Sequence, residues 1–293
     1  IEIQWKLNSF TSLTRNMKYH SALSLPDRSE DSAENYGVNQ ASESIEFAIK
    51  KGADTGHLLH DTLERLDFST PNYAKASSLP LMRYSFFPEA FESEDFYAWL
   101  GTIISTPLTL KGQEEYFTLT DLSFNNTLKE VEFYFPIENV DMSSLVSVLA
   151  KHRGVNASLI QRALPSTTQL QGMMHGFIDL IAHWQDSYFV IDYKSTYLGS
   201  EKADYSEESM QEDIEKNFYD RQYLIYTLAL HRFLKRKISD YDPQLHLGGV
   251  YYLYLRGMNK ETKEGVYNTA IDLTLLDALD DVFNGQTLMA HVG

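Results

Sequence analysis

The chain has 293 residues, with 41 acidic against 25 basic side chains and a formal net charge of −16 at pH 7. So acidic a chain is no simple nucleic-acid binder, because DNA and RNA are held largely through Lys and Arg. It has no cysteine, which excludes disulfides and thiolate metal sites, and no apolar run of about 18 residues that would cross a bilayer.

With 19 Tyr and 16 Phe the chain can fill a sizeable core, and its length predicts one large domain or one domain with an appended segment. No secretory leader pattern opens it. The first residue is Ile1 rather than Met, as expected of a fragment. Residues 1–52 are expected to form a lead-in segment, and 53–293 the globular domain. Within the lead-in, Ser9 to Leu13 predicts a turn into a helix capped by Ser9 or Thr11. Residues 26–44 are polar, acidic and aperiodic, and predict a mobile loop.

Gly56 to Phe68 predicts a helix in which His60 and Glu64 share a face, as do Leu59 and Leu63. Residues 88–112 predict a helix and then a loop, with Pro107 ending or preceding an element. Lys129 to Pro136 predicts a strand with Glu130, Glu132 and Tyr134 on one face.

Gly176 to Ser195, GFIDLIAHWQDSYFVIDYKS, predicts two apolar strands joined by a turn at Gln185-Asp186-Ser187. One aspartate lies in each strand, Asp179 and Asp192, and Lys194 falls on the face of Asp192. Carboxylates within such apolar strands are costly to bury unless paired or bound to a metal. Two of them beside a lysine suit a divalent-cation site next to a cationic catalytic group, the chemistry of a metal-dependent phosphodiesterase. The alternative is a hairpin whose acids simply face water. Glu261-Thr262-Lys263 repeats the acid-x-lysine pattern in a polar stretch and carries no weight.

Tyr197 to Glu207 predicts a loop, and about Glu207 to Arg236 one long helix, with Gln222 and Tyr226 on one face. HLGGVYYLYLR, His246 to Arg256, predicts a last, central strand, and Leu273 to Phe283 an amphipathic helix. The order strand, hairpin, helix, strand predicts an α/β fold: a central mixed β-sheet flanked by helices, with the site at one end of the hairpin.

The segments GFIDL, DYKS, YLG, YDRQYLIYTLALHRFL, DYD and GGVYYLYLRG, between Gly176 and Gly257, resemble the RecB-type nuclease domains of the PD-(D/E)xK nuclease superfamily. GHLLHDTLERLDF (Gly56 to Phe68) and EVEFYFPI (Glu130 to Ile137) extend the likeness, which covers the chain from about Ser9 onward. The first half of the superfamily motif is here Ile178-Asp179, without its proline.

The resemblance implies a restriction-endonuclease-like core over 53–293 and metal-dependent hydrolysis of DNA phosphodiester bonds. Single strands would be fed from a helicase motor in double-strand-break repair and recombination. No G-x-x-x-x-G-K-[ST] phosphate loop occurs, so the motor is not in this sequence. His60 aligns with a metal-binding histidine. Together with Asp179, Asp192 and the backbone carbonyl of Tyr193 it would hold Mg²⁺, with Mn²⁺ admitted and Ca²⁺ binding without supporting cleavage. Asp179, Asp192 and Lys194 are the implied catalytic set. Glu132 corresponds to an acid near the active site, and Gln222 and Tyr226 to a pair that positions substrate phosphate. The Cys-ligated iron–sulfur cluster of some relatives is excluded by composition. Implied partners are DNA, preferentially single-stranded, the RecC and RecD subunits and RecA, in a bacterial cytoplasm. The alternative function is a docking module that recruits RecA or other partners.

Overall fold

The computed structural model describes residues 6–9, 44–84, 88, 90–109, 115–155, 157–163 and 169–285. The helix entry expected at 9–13 and the loop expected at 26–44 fall outside these residues but for Ser9 and Ser44. The chain begins with β1 (Lys6–Ser9), α1 (Ile45–Ala48), α2 (Ala53–Arg65), α3 (Tyr73–Tyr84) and α4 (Ser93–Ser105). A small ribbon, β2 (Leu108–Thr109) and β3 (Tyr116–Phe117), precedes β4 (Thr127–Asp141), α5 (Met142–Arg153) and α6 (Ala157–Ala163). The hairpin β5 (Gln169–Trp184) and β6 (Ser187–Lys194) follows, then α7 (Glu207–Asn217), α8 (Tyr219–Lys237) and α9 (Pro243–His246). β7 (Leu247–Tyr254), β8 (Val266–Thr269) and α10 (Leu273–Phe283) complete the described fold.

Among the described residues six strands make one mixed sheet. β4 runs antiparallel along one edge of β5. The other edge of β5 is shared by β1, parallel at residues 172–175, and β6, antiparallel at 180–184. β6 pairs parallel with β7, and β7 antiparallel with β8. A parallel pair needs a crossover, which α7 and α8 supply.

Each face of the sheet carries an apolar cluster. One apolar cluster joins α5, α8 and α10 through Leu145, Leu149, Leu224, Leu228, Leu276 and Leu279. The other joins α2 and α4 through Leu59, Leu63, Phe96, Leu100 and Ile103. β6 serves both by strict alternation: Phe189 and Ile191 enter the second cluster and Val190 the first. Ile45 and Ile49, ahead of the division expected at residue 53, are buried in the second cluster. The α/β architecture with a central mixed sheet is as expected.

Several elements differ from expectation. The single helix expected over 207–236 is two helices, because Phe218 adopts a left-handed backbone with φ 58°. Its amide caps α7, and the guanidinium groups of Arg221 and Arg153 lie 4.2 and 4.6 Å from its ring centroid. β8 follows the strand expected to be last. The hairpin turn is shorter by one residue, since Ser187 pairs with Trp184 and Gln185 carries the positive φ of 52°.

Arg256 is fully buried, and its guanidinium donates to four backbone carbonyls: Ser195 at 2.9 Å, Glu46 at 2.6 Å, Ile49 at 3.3 Å and Lys50 at 3.1 Å. It thus ties α1 to the end of β6. Among the described residues no helix is long and apolar enough to cross a membrane.

Candidate metal centre

The site assembles where β4, β5 and β6 meet the face of α2. Along β5, Ile178 and Ile181 pack in the first cluster, and Leu180 and Ala182 in the second. Two-residue alternation therefore slips by one place at Asp179-Leu180. The opposing strand slips with it: Lys129 pairs with Leu180, Val131 with Ile178, and Glu130 between them has φ 48°. Because both strands slip together, their register is kept while Glu130 and Asp179 turn to the α2 side.

α2 brings His60 to this point. Gly56, one turn earlier, allows the close approach: a Cβ there would lie 3.1 Å from Ser195 Oγ at the end of β6. The buried His60 ring places Nε2 3.0 Å from the Tyr193 carbonyl oxygen and Nδ1 3.4 Å from Asp179 Oδ1. Asp179 Oδ2 accepts the Tyr193 amide at 2.7 Å. Ligand atoms of His60, Glu130 and Asp179 all lie within 4.8 Å of one another.

Electrostatics follow from this crowding. Burial alone would lower the His60 pKa, but the charge and hydrogen bond of Asp179, then the charges of Asp192 and Glu130, raise it to about 9. Burial would raise the Asp179 carboxyl, yet the facing imidazolium and the Tyr193 amide hold it below the usual carboxylate range. The Tyr193 hydroxyl is buried without a hydrogen-bond partner among the described residues, and burial followed by the charges of Asp179, Glu130 and Asp192 raises its pKa.

On the opposite face of β6, Asp192 and Lys194 are both buried, with Lys194 Nζ 2.7 Å from Asp192 Oδ1. Nζ also donates to Gln222 Oε1 at 3.0 Å and lies 3.8 Å from the Tyr219 ring centroid. Gln222 Nε2 in turn donates to the Tyr226 hydroxyl at 3.0 Å, and the Tyr252 hydroxyl lies 3.1 Å from Gln222 Oε1. Gln222 thus touches the lysine directly, and Tyr226, on the same helix face, holds Gln222.

The structure therefore brings together His60, Asp179 and the Tyr193 carbonyl, with Lys194 linking Asp192 to Gln222. Glu132 does not join the group. It is exposed, accepts from the Tyr134 hydroxyl at 2.6 Å and lies 2.9 Å from His175 Nε2. Glu130 stands where the accessory acid was expected. Regular alternation puts the two glutamates on one face, and only the left-handed backbone at Glu130 separates them. Tyr219 and Tyr252, which frame Lys194, went unmarked because aromatic residues in a helix and a central strand read as core.

A divalent cation fits this chemistry. Two carboxylates, an imidazole and a carbonyl oxygen form a hard, mostly oxygen donor set. In the metal-free arrangement a proton on His60 compensates the acids, which is the charge a cation would replace.

A family model described as the PD-(D/E)XK nuclease superfamily matches residues 33–291. The chain is 34% identical to the RecBCD enzyme subunit RecB of Haemophilus influenzae, over 97% of this chain and 24% of that protein. It is 32% identical to the RecBCD enzyme subunit RecB of Escherichia coli K12, again over 97% and 24%. The RecBCD enzyme subunit RecB of Mycobacterium tuberculosis is 27% identical over 88% of this chain and 26% of its own length. The chain thus spans about a quarter of the length of the curated relatives it matches. Sheet, acids, lysine and family match agree, and the chain belongs to the PD-(D/E)XK nuclease superfamily.

Proposed function

We propose that this domain hydrolyses DNA phosphodiester bonds with Mg²⁺, as the nuclease part of a RecBCD-type helicase-nuclease. The carrying observation is that the ligand atoms of His60, Glu130 and Asp179 lie within 4.8 Å of one another, beside an Asp192–Lys194 ion pair at 2.7 Å. His60, Asp179, Asp192 and the Tyr193 carbonyl would hold the ion, with Glu130 as a further acid. A cation bound there supplies positive charge to the phosphate and an acidified water.

The chain's own groups do the rest. His60 must give up its proton before it can serve as a ligand. Lys194, anchored on Gln222, presents a positive charge for the reacting phosphate, where charge grows as the water oxygen bonds to phosphorus and one P–O ester bond breaks. Gln222 and Tyr226 fix that ammonium and the phosphate beside it.

The net charge of −16 argues that substrate is delivered rather than captured, consistent with a strand fed by a motor. On this reading the domain works in the cytoplasm, on single-stranded DNA, alongside RecC and RecD. The intact Asp179, Asp192 and Lys194 favour retained catalysis over a role confined to docking RecA. The test is degradation of single-stranded DNA with Mg²⁺ by the parent and by Asp192→Ala. Loss of cleavage in the variant is expected. No Mg²⁺-dependent cleavage by the parent overturns the proposal.

A further inference from the structure

Beyond the metal centre, the ribbon of β4 and β5 carries an aromatic ledge that no helix among the described residues covers. Phe177 is 43% exposed and Tyr134 52%, both far above the core aromatics of the same sheet. Tyr134 lies opposite His175 and stacks on it, with ring centroids 4.5 Å apart and planes 21° apart. Phe177 meets His175 edge to face at 5.2 Å. Phe177 sits two residues from Asp179, about 7 Å along the strand, and His175 about 13 Å. Residues 175, 177 and 179 share the face that α2 covers only at the site itself, since Met174 and Ile178 turn to the other side.

We propose that this ledge binds the unpaired bases of the DNA strand next to the scissile phosphate, by stacking on Phe177 and Tyr134. Exposed rings one strand repeat apart, leading straight to a phosphate-cleaving centre, suit a single strand, whose bases are free to lie on an aromatic face. A duplex offers no such faces, so the ledge selects single strands. It also offsets the chain's acidity, because stacking does not need positive charge. Glu132, opposite Phe177 on the neighbouring strand, has its carboxylate held by the Tyr134 hydroxyl and lies 2.9 Å from His175 Nε2. The proposal rests on the nuclease reading above and adds the part of the substrate recognised and the residues that recognise it.

The test compares a short oligothymidine with the same strand carrying abasic residues, bound to the full chain in Ca²⁺ and cleaved in Mg²⁺. The parent is expected to bind and cleave the base-bearing strand about tenfold better, the loss of one stacked base. Phe177→Ala and Tyr134→Ala should abolish that preference without lowering thermal stability, because both rings are already half in solvent. Phe177→Trp should keep the preference, and Phe177→Leu, equally apolar, should lose it. A parent indifferent to the missing bases, or a Phe177→Ala protein that still discriminates, overturns the ledge. A parent that binds with base preference but does not cleave upholds the ledge and overturns the nuclease reading.

Discussion

Proton and cation compete for His60, and the competition has a calculable size. With a pKa of about 9, the imidazole carries a proton in about 99% of metal-free molecules at pH 7. A cation must displace that proton, at a cost of about 2.7 kcal/mol, or roughly a hundredfold in affinity. Raising the pH from 7 to 8 should therefore tighten cation binding about tenfold, with a smaller gain to pH 9 and a plateau beyond. Calorimetric titration of Ca²⁺ in buffers of different ionisation enthalpy reads both the affinity and the proton release, expected at about one per ion at pH 7. His60→Gln should remove the pH slope. Cation affinity independent of pH, with no proton released, would refute the reasoning. The stability of the metal-free chain has the opposite trend. A histidine whose folded pKa is raised contributes stabilisation that is complete below its unfolded value of 6.5 and is lost as pH rises through about 9. Up to about 3 kcal/mol should vanish across that window, and saturating cation should flatten the loss.

Glu130→Gln should weaken cation binding about 10- to 100-fold, whereas Glu132→Gln should leave it within about threefold; the reverse order in a metal titration would return the accessory role to Glu132. Lys194→Met should lower the cleavage rate by about two to three orders of magnitude, and near-parent rates would remove the lysine from the chemistry. Asp192→Asn and Lys194→Met should each cost about 3 kcal/mol or more by leaving a buried charge unpaired, while the double variant should melt above either single one; additive losses by denaturant titration would contradict the pairing. DNA binding by the chain should be weak and fall steeply with salt, and tight binding at physiological ionic strength would contradict delivery by a motor.

Much of this is legible in the sequence. Alternation through FVIDYK fixes β6 and the side of it shared by Asp192 and Lys194, because a two-residue period leaves one choice. α10 spans Leu273–Phe283, the expected range, its apolar stripe being unbroken and Asp272 capping it. The break at Phe218 was not legible, since Asn217-Phe218-Tyr219 contains neither Gly nor Pro, and the guanidinium that meets this left-handed phenylalanine from afar is Arg153, 65 positions earlier. The exchange of Glu132 for Glu130 has the same origin. Pattern arguments assume regular alternation, and a matched slip in two strands leaves no mark in either alone. Nor does composition say that Ile45 and Ile49 belong to the core, because their partners lie far along the chain.

The Arg256 clasp has a consequence for the order in which the molecule is built. Its guanidinium holds Glu46 across 210 positions and Ser195 across 61, while His60 reaches Tyr193 across 133. Contacts of such separation close late, after the loops between them have been ordered. A chain still emerging from its N-terminal end can form α2, and later the β5–β6 hairpin, yet it lacks the clasp that secures α1 to the end of β6 until Arg256 has been made. The candidate metal centre is thus among the last parts of the fold to become rigid, and a prematurely ended chain is left without the fastening beside it.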